Sequence, residues 1–85
     1  MTKSDKLFQR LIDNPRKPLA FRDFERLLEM FGFSLVRQRG SHRAFKHPAI
    51  ATLLIVQPRG ADAKPYQQQQ FLDMIEANGL ELRQR

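Results

Sequence analysis

Apolar residues recur at helical spacing along the first third of the chain. Leu7, Phe8, Leu11 and Ile12 fall on one side of a helix that Ser4 can cap. Asn14-Pro15 ends it, because proline drives the residue before it out of the helical region. Pro15-Arg16-Lys17-Pro18 then reads as a stiff linker. A second helix is predicted from about Ala20 to Phe31. Its stripe is Phe21, Phe24, Leu27, Leu28 and Phe31, and Arg22, Asp23, Glu25, Arg26 and Glu29 lie mostly outside it. Gly32 stops this helix, as glycine does just past a helix end. The stripe is assigned to the core and to nothing else.

The period then changes. Phe33 to Gln38 and His42 to His47 read as two strands joined at Arg39-Gly40-Ser41, a turn signal. Thr52 to Gln57 is apolar and β-branched, a third strand ending at Pro58. A polar loop follows, from Arg59 to Lys64. Pro65 suits the first turn of a last helix, whose buried face is Phe71, Leu72 and Ile75. Asn78-Gly79 closes it, with Leu80 folding back on the last turn. The tract Gln67 to Gln70 is about one turn of a fair helix former and is given no further meaning. Adjacent strands with short connections imply an antiparallel sheet, so the expected fold is α+β. Helices cover one face of its three strands and leave the other open.

At 85 residues the chain is one domain with room for a modest core and no deep cleft, so a site is expected on an open surface. Seven Phe and a hydrophobic fraction of 41% suffice for that core and argue against disorder. No apolar run approaches the roughly 20 residues that span a bilayer, and Met1 to Asp5 lacks the apolar stretch of a secretory signal. No membrane association is expected. The absence of cysteine excludes disulfides, thiol catalysis and cysteine-bound zinc, and fits a cytoplasmic location.

Charge sharpens the picture. The net charge is +6, and from Met30 to Ala61 there is no acid at all, while Arg37, Arg39, Arg43, Lys46, Arg59 and both histidines lie there. Elsewhere ten bases face nine acids. An excess gathered into the predicted strands points to a nucleic-acid surface rather than a merely solvated face. It does not resemble a membrane anchor, which is ordinarily an amphipathic helix.

Alternation along the second strand places Arg43, Phe45 and His47 on one face and His42, Ala44 and Lys46 on the other. Phe45 should point to the core. That leaves His42 and Lys46 on the solvent face, with Arg37 and Arg39 nearby. RNA carries its own nucleophile, the 2′-hydroxyl beside each phosphate. A base that removes that proton lets the oxygen attack phosphorus and yields a 2′,3′-cyclic phosphate without metal or covalent enzyme. Imidazole, with an ordinary pKa of about 6.5, suits that task. Arg39, Arg43 or Lys46 can neutralise the crowded phosphate, and Ser41 or the backbone at Gly40 can help hold it. No second histidine is placed as the acid, since His47 should face the other way. A lone histidine in a basic strand also serves in binding or packing, and Gly40-Ser41 alone is a hairpin turn. A metal pair from His42 and His47 lacks further ligands. A non-catalytic RNA-binding module and a Phe-rich interaction protein remain the competing readings.

The run from Gly32 to Pro48 also resembles the signature of the HicA toxins: a helix ending in Gly32-Phe33, a strand carrying Arg37-Gln38, the triplet Gly40-Ser41-His42, then Phe45. The likeness extends from about Phe21 to Leu80, through the third strand and the helix beginning near Pro65-Tyr66. It implies a fold like a double-stranded-RNA-binding domain, α-β-β-β-α, and a metal-independent, cofactor-free ribonuclease acting on messenger RNA. It implies that His42 is catalytic and that a HicB-type antitoxin covers the site; the RNA-binding set expected around it from the strand and turn pattern is Arg37, Arg39, Gly40, Ser41, Arg43 and Lys46. Family members often begin at the second helix found here. Residues 1–18 are therefore expected to be a helical N-terminal extension, and residues 19–85 the HicA-like RNA-binding and ribonuclease domain.

Overall fold

The computed structural model describes residues 3–82. Their order is α1 (Lys3–Asp13), α2 (Phe21–Met30), β1 (Ser34–Arg39), β2 (His42–Lys46), β3 (Leu54–Val56) and α3 (Pro65–Asn78). The strands form one antiparallel meander, β1-β2-β3. This is an α+β fold consistent with the double-stranded-RNA-binding arrangement, carrying an additional first helix.

Each helix stops where local chemistry stops it. At the end of α2 the Gly32 N–H donates to Glu29 O and the Phe33 N–H to Leu28 O, both at 3.0 Å, with Gly32 at φ 98. This is the Schellman closure, and it turns the chain straight into β1 with Phe33 returned to the core. Gly79 closes α3 at φ 61, ψ 36, and Leu80 N–H reaches Ile75 O at 3.1 Å. Two expectations for α1 are corrected. Ser4 lies within the first turn and is buried rather than preceding the helix, and Ile12 is 46% exposed because it falls off the stripe made by Leu7 and Leu11.

The core is a cluster of rings between helices and sheet. Phe71 of α3 is its hub, edge-on to Phe24 at 5.6 Å and to Phe31 at 5.3 Å, and Phe8 of α1 lies 4.8 Å from Phe31. Leu7 and Leu11 belong to the same cluster as Phe45, Leu54 and Val56 of the sheet. Residues 3–13 are thus packed into the body of the protein. Burying six Phe rings of this kind supplies the main favourable term, at about 25 cal/mol per Å² of apolar surface.

The glutamine tract is built into this architecture. Gln68 is fully buried. Its Oε1 accepts from Leu19 N–H at 2.8 Å, and its Nε2 donates to Pro15 O at 3.0 Å and Lys17 O at 3.1 Å. One side chain therefore satisfies three backbone groups of the α1–α2 linker. Gln67 Oε1 accepts from Gln57 N–H at 2.9 Å and ties α3 to the end of β3. Sequence periodicity had no way to reveal these roles, since glutamine is polar and the partners lie far along the chain.

Candidate nucleic-acid interface

The open face of the sheet is organised by the β1–β2 hairpin. Ser34 pairs with Lys46 and Leu35 with Phe45, but Arg37 pairs with Ala44, Gln38 with Arg43 and Arg39 with His42. One residue, Val36, is extra: a β-bulge. Without it Leu35, Arg37 and Arg39 would all share Phe45's side of the sheet, because side chains alternate. The bulge leaves Leu35 with Phe45 and moves both arginines to the face of His42. The turn that follows has two residues, Gly40 and Ser41, not three. Gly40 sits at φ 59 in the first turn position, where a type II′ hairpin takes glycine.

His42 is exposed, and among the described residues no side chain is hydrogen-bonded to its ring. Arg37, Arg39, His42, Ala44 and Ile55 line a hollow of about 190 Å³, with buried Ala44 at its floor. On its other side His42 also lines a wider groove of about 590 Å³ between β3 and α3, bordered by Ile55, Tyr66, Gln70, Asp73 and Met74. The imidazole stands where a cationic hollow meets an uncharged-to-acidic groove.

Ser41 is braced from the neighbouring strand. Its Oγ accepts from Gln57 Nε2 at 3.1 Å, and Gln57 Oε1 accepts from Lys64 Nζ at 3.2 Å. A hydroxyl that accepts from Gln57 still has its own proton to donate outward.

The remaining candidates stand apart. Arg43 lies on the helix-packed face, ion-paired with Glu25 of α2 and stacked 5.2 Å over Phe21, and its Nε is buried without a hydrogen-bond partner among the described residues. It is a strut between sheet and helix, as strand alternation already implied. Lys46 is on the open face but at the far end of β2, roughly 13 Å along the strand from His42, and its Nζ donates to Ile50 O at 3.3 Å. His47 is buried, its ring 5.3 Å from Phe33, with Nδ1 accepting from Ala49 N–H at 3.0 Å. The two histidines therefore face opposite ways. Among the described residues no group of three or more His, Cys, Asp or Glu is placed to hold one metal ion, and no helix is long and apolar enough to cross a membrane.

Sequence reasoning did not single out Gln57 or Tyr66. Tyr66 is 60% exposed, whereas Phe21, Phe24, Phe31, Phe33, Phe45 and Phe71 are buried. Its position after Pro65 was a weak signal, since the residues flanking it show no helical stripe.

A family model described as the HicA toxin of bacterial toxin–antitoxin systems matches residues 21–80. No curated protein and no solved structure matches the chain.

Proposed function

Because this chain belongs to the HicA toxin family of bacterial toxin–antitoxin systems, we propose that its toxic activity is endonucleolytic cleavage of messenger RNA, with His42 as general base. The observation that carries this reading is the junction at His42: an exposed imidazole with Arg37 and Arg39 on the same face of the sheet.

In this mechanism the scissile phosphate lies over the cationic hollow. His42 takes the proton of the adjacent 2′-hydroxyl. The 2′-oxygen attacks phosphorus, the bond to the 5′-oxygen breaks, and the products are a 2′,3′-cyclic phosphate and a 5′-hydroxyl once the leaving oxygen is protonated. The attack needs no metal, since RNA supplies the nucleophile. Arg37 and Arg39 balance the charge that builds on the phosphate oxygens, and the Ser41 hydroxyl and Gly40 backbone hold the phosphate at the turn. Arg43 and Lys46 take no part in this step.

A cytoplasmic antitoxin of the HicB type neutralises the protein by covering this open face, where acidic side chains would meet the arginines. The cleaving unit is taken as residues 19–85. Residues 1–18 form an N-terminal extension outside the family match, supporting α2 and offering the antitoxin an additional contact.

The test is cleavage of messenger RNA by the purified protein in the presence of a chelator. Cyclic phosphate ends are expected, and His42→Ala should slow cleavage by about 100- to 10,000-fold. Circular dichroism should not change, because His42 is exposed. Cleavage by His42→Ala at the wild-type rate overturns the mechanism. Salt-sensitive RNA binding with no cleavage by either protein would instead make this a non-catalytic RNA-binding module.

A further inference from the structure

The geometry points to the groove between β3 and α3 as a nucleobase subsite, in which Tyr66 stacks on the base of the nucleotide whose 2′-hydroxyl faces His42, and Asp73 and Gln70 read its edge. This rests on the RNA-cleavage reading and extends it from the phosphate to the base.

Sugar connectivity supplies the first argument. The reactive 2′-hydroxyl sits on C2′, the base on C1′ and the scissile phosphate on the oxygen of C3′. A general base that reaches the 2′-hydroxyl therefore has the phosphate on one side and the base on the other. His42 has two different concavities on its two sides. The smaller contains Arg37 and Arg39. The larger contains Tyr66, Gln70 and Asp73, with Ile55, Leu53 and Met74 as apolar wall.

Electrostatics decides which group goes where. The Asp73 carboxylate disfavours phosphate in the larger groove and favours a group bearing N–H donors, as the amino and imino edges of bases do. One of its oxygens, Oδ1, accepts from Gln69 Nε2 at 3.0 Å, which steadies the carboxylate and leaves the other oxygen for a ligand. The Gln70 amide makes no hydrogen bond among the described residues and offers both a donor and acceptors.

Burial supplies the third argument. The chain has seven Phe and one Tyr. Six Phe are buried in the core and Phe8 is packed against it, so Tyr66, 60% exposed, is the aromatic presented to solvent. Its hydroxyl accepts from Gln67 Nε2 at 3.2 Å, which restrains the ring. An exposed, oriented ring beside an apolar wall is the arrangement on which proteins stack unpaired bases. The groove volume of about 590 Å³ lies in the usual range for small-ligand sites, about 300–1,000 Å³.

The experiment is fluorescence anisotropy with short 2′-fluoro RNA homopolymers of A, C, G and U, which keep the phosphates and bases but lack the nucleophile. Wild-type protein is compared with Tyr66→Ala, Tyr66→Phe, Asp73→Asn and Arg39→Ala. Tyr66→Ala is expected to weaken binding about tenfold, and Tyr66→Phe to restore it to within about twofold, since stacking needs the ring and not the hydroxyl. Asp73→Asn is expected to reorder affinity among the four bases without changing its salt dependence. If Tyr66→Ala and Asp73→Asn bind all four oligomers as wild type does while Arg39→Ala still weakens them, the subsite is overturned and the RNA reading stands. If wild type binds none of them even at low salt, both fall.

Discussion

Arg39 stands directly opposite His42 in the β1–β2 hairpin, as the pair that closes its two-residue turn. It does so on the open face because Val36 is an extra residue in β1. The same bulge sends Arg37 to that face beside Ala44. In regular alternation Arg37 and Arg39 would share the side of Leu35 and Phe45, and the bulge instead sets both arginines on the side of His42.

Arg37→Ala and Arg39→Ala are therefore expected to weaken RNA binding independently of sequence. Each removes one phosphate contact, so the slope of log affinity against log salt should fall by about 0.7 per substitution for a single strand. Titrations at several salt concentrations measure this. An unchanged slope in both variants would mean that neither arginine meets a phosphate.

Arg43→Met should behave differently, although it is equally basic and adjacent to His42 in sequence. Arg43 pairs with Glu25 and covers Phe21, with about a third of its side chain exposed. The substitution keeps much of the packing and leaves Glu25 without its cation. A loss of about 1 kcal/mol is expected after allowing for solvent screening, seen as a drop of about 4–8 °C in Tm for a domain this size. RNA affinity and its salt slope should stay at wild-type values.

Gln68→Ala should be among the most damaging single changes outside the Phe core. It strands the buried Leu19 N–H, removes a donor from two linker carbonyls and leaves a void. About 2–4 kcal/mol of stability is expected to be lost, measured by urea unfolding. Cleavage per folded molecule should be unaffected, since Gln68 contacts neither the hairpin nor the groove.

Gly40→Ala tests the turn. An added Cβ would meet nothing within 4 Å, so no clash follows. The cost is conformational, from holding an L-residue at φ 59, and is about 1–2 kcal/mol. A variant as stable as wild type would show that the turn tolerates a negative φ. Cleavage is expected to fall more than stability, because the turn joins Arg39 to His42.

The order of elements was legible in the chain because its causes are local. The Phe stripe of α2, the glycines after α2 and α3, proline at the start of α3 and the turn glycine each act within a few residues. Alternation likewise assigned Phe45 and Arg43 to one side and His42 to the other. The strand ends were less legible. β3 is only Leu54–Val56, three residues where the apolar, β-branched run suggested six, since the chain before Leu54 has no partner on β2.

The rest was decided by contacts between distant segments. The bulge at Val36 shifts the pairing with β2 between Leu35 and Arg37, and that shift is not visible from β1 alone. Gln68 is a core residue because three backbone groups of the linker, about fifty positions earlier, converge on it. Tyr66 is exposed beside His42 only because α3 lies along β3. Sequence by itself determined which residues form helices, strands and turns and which side of β2 holds the imidazole, since these follow from chain geometry over a few residues. Only the tertiary structure decided which arginines join that imidazole and which aromatic ring is left for a ligand, because pairing register and packing compete there and the folded whole sets the balance.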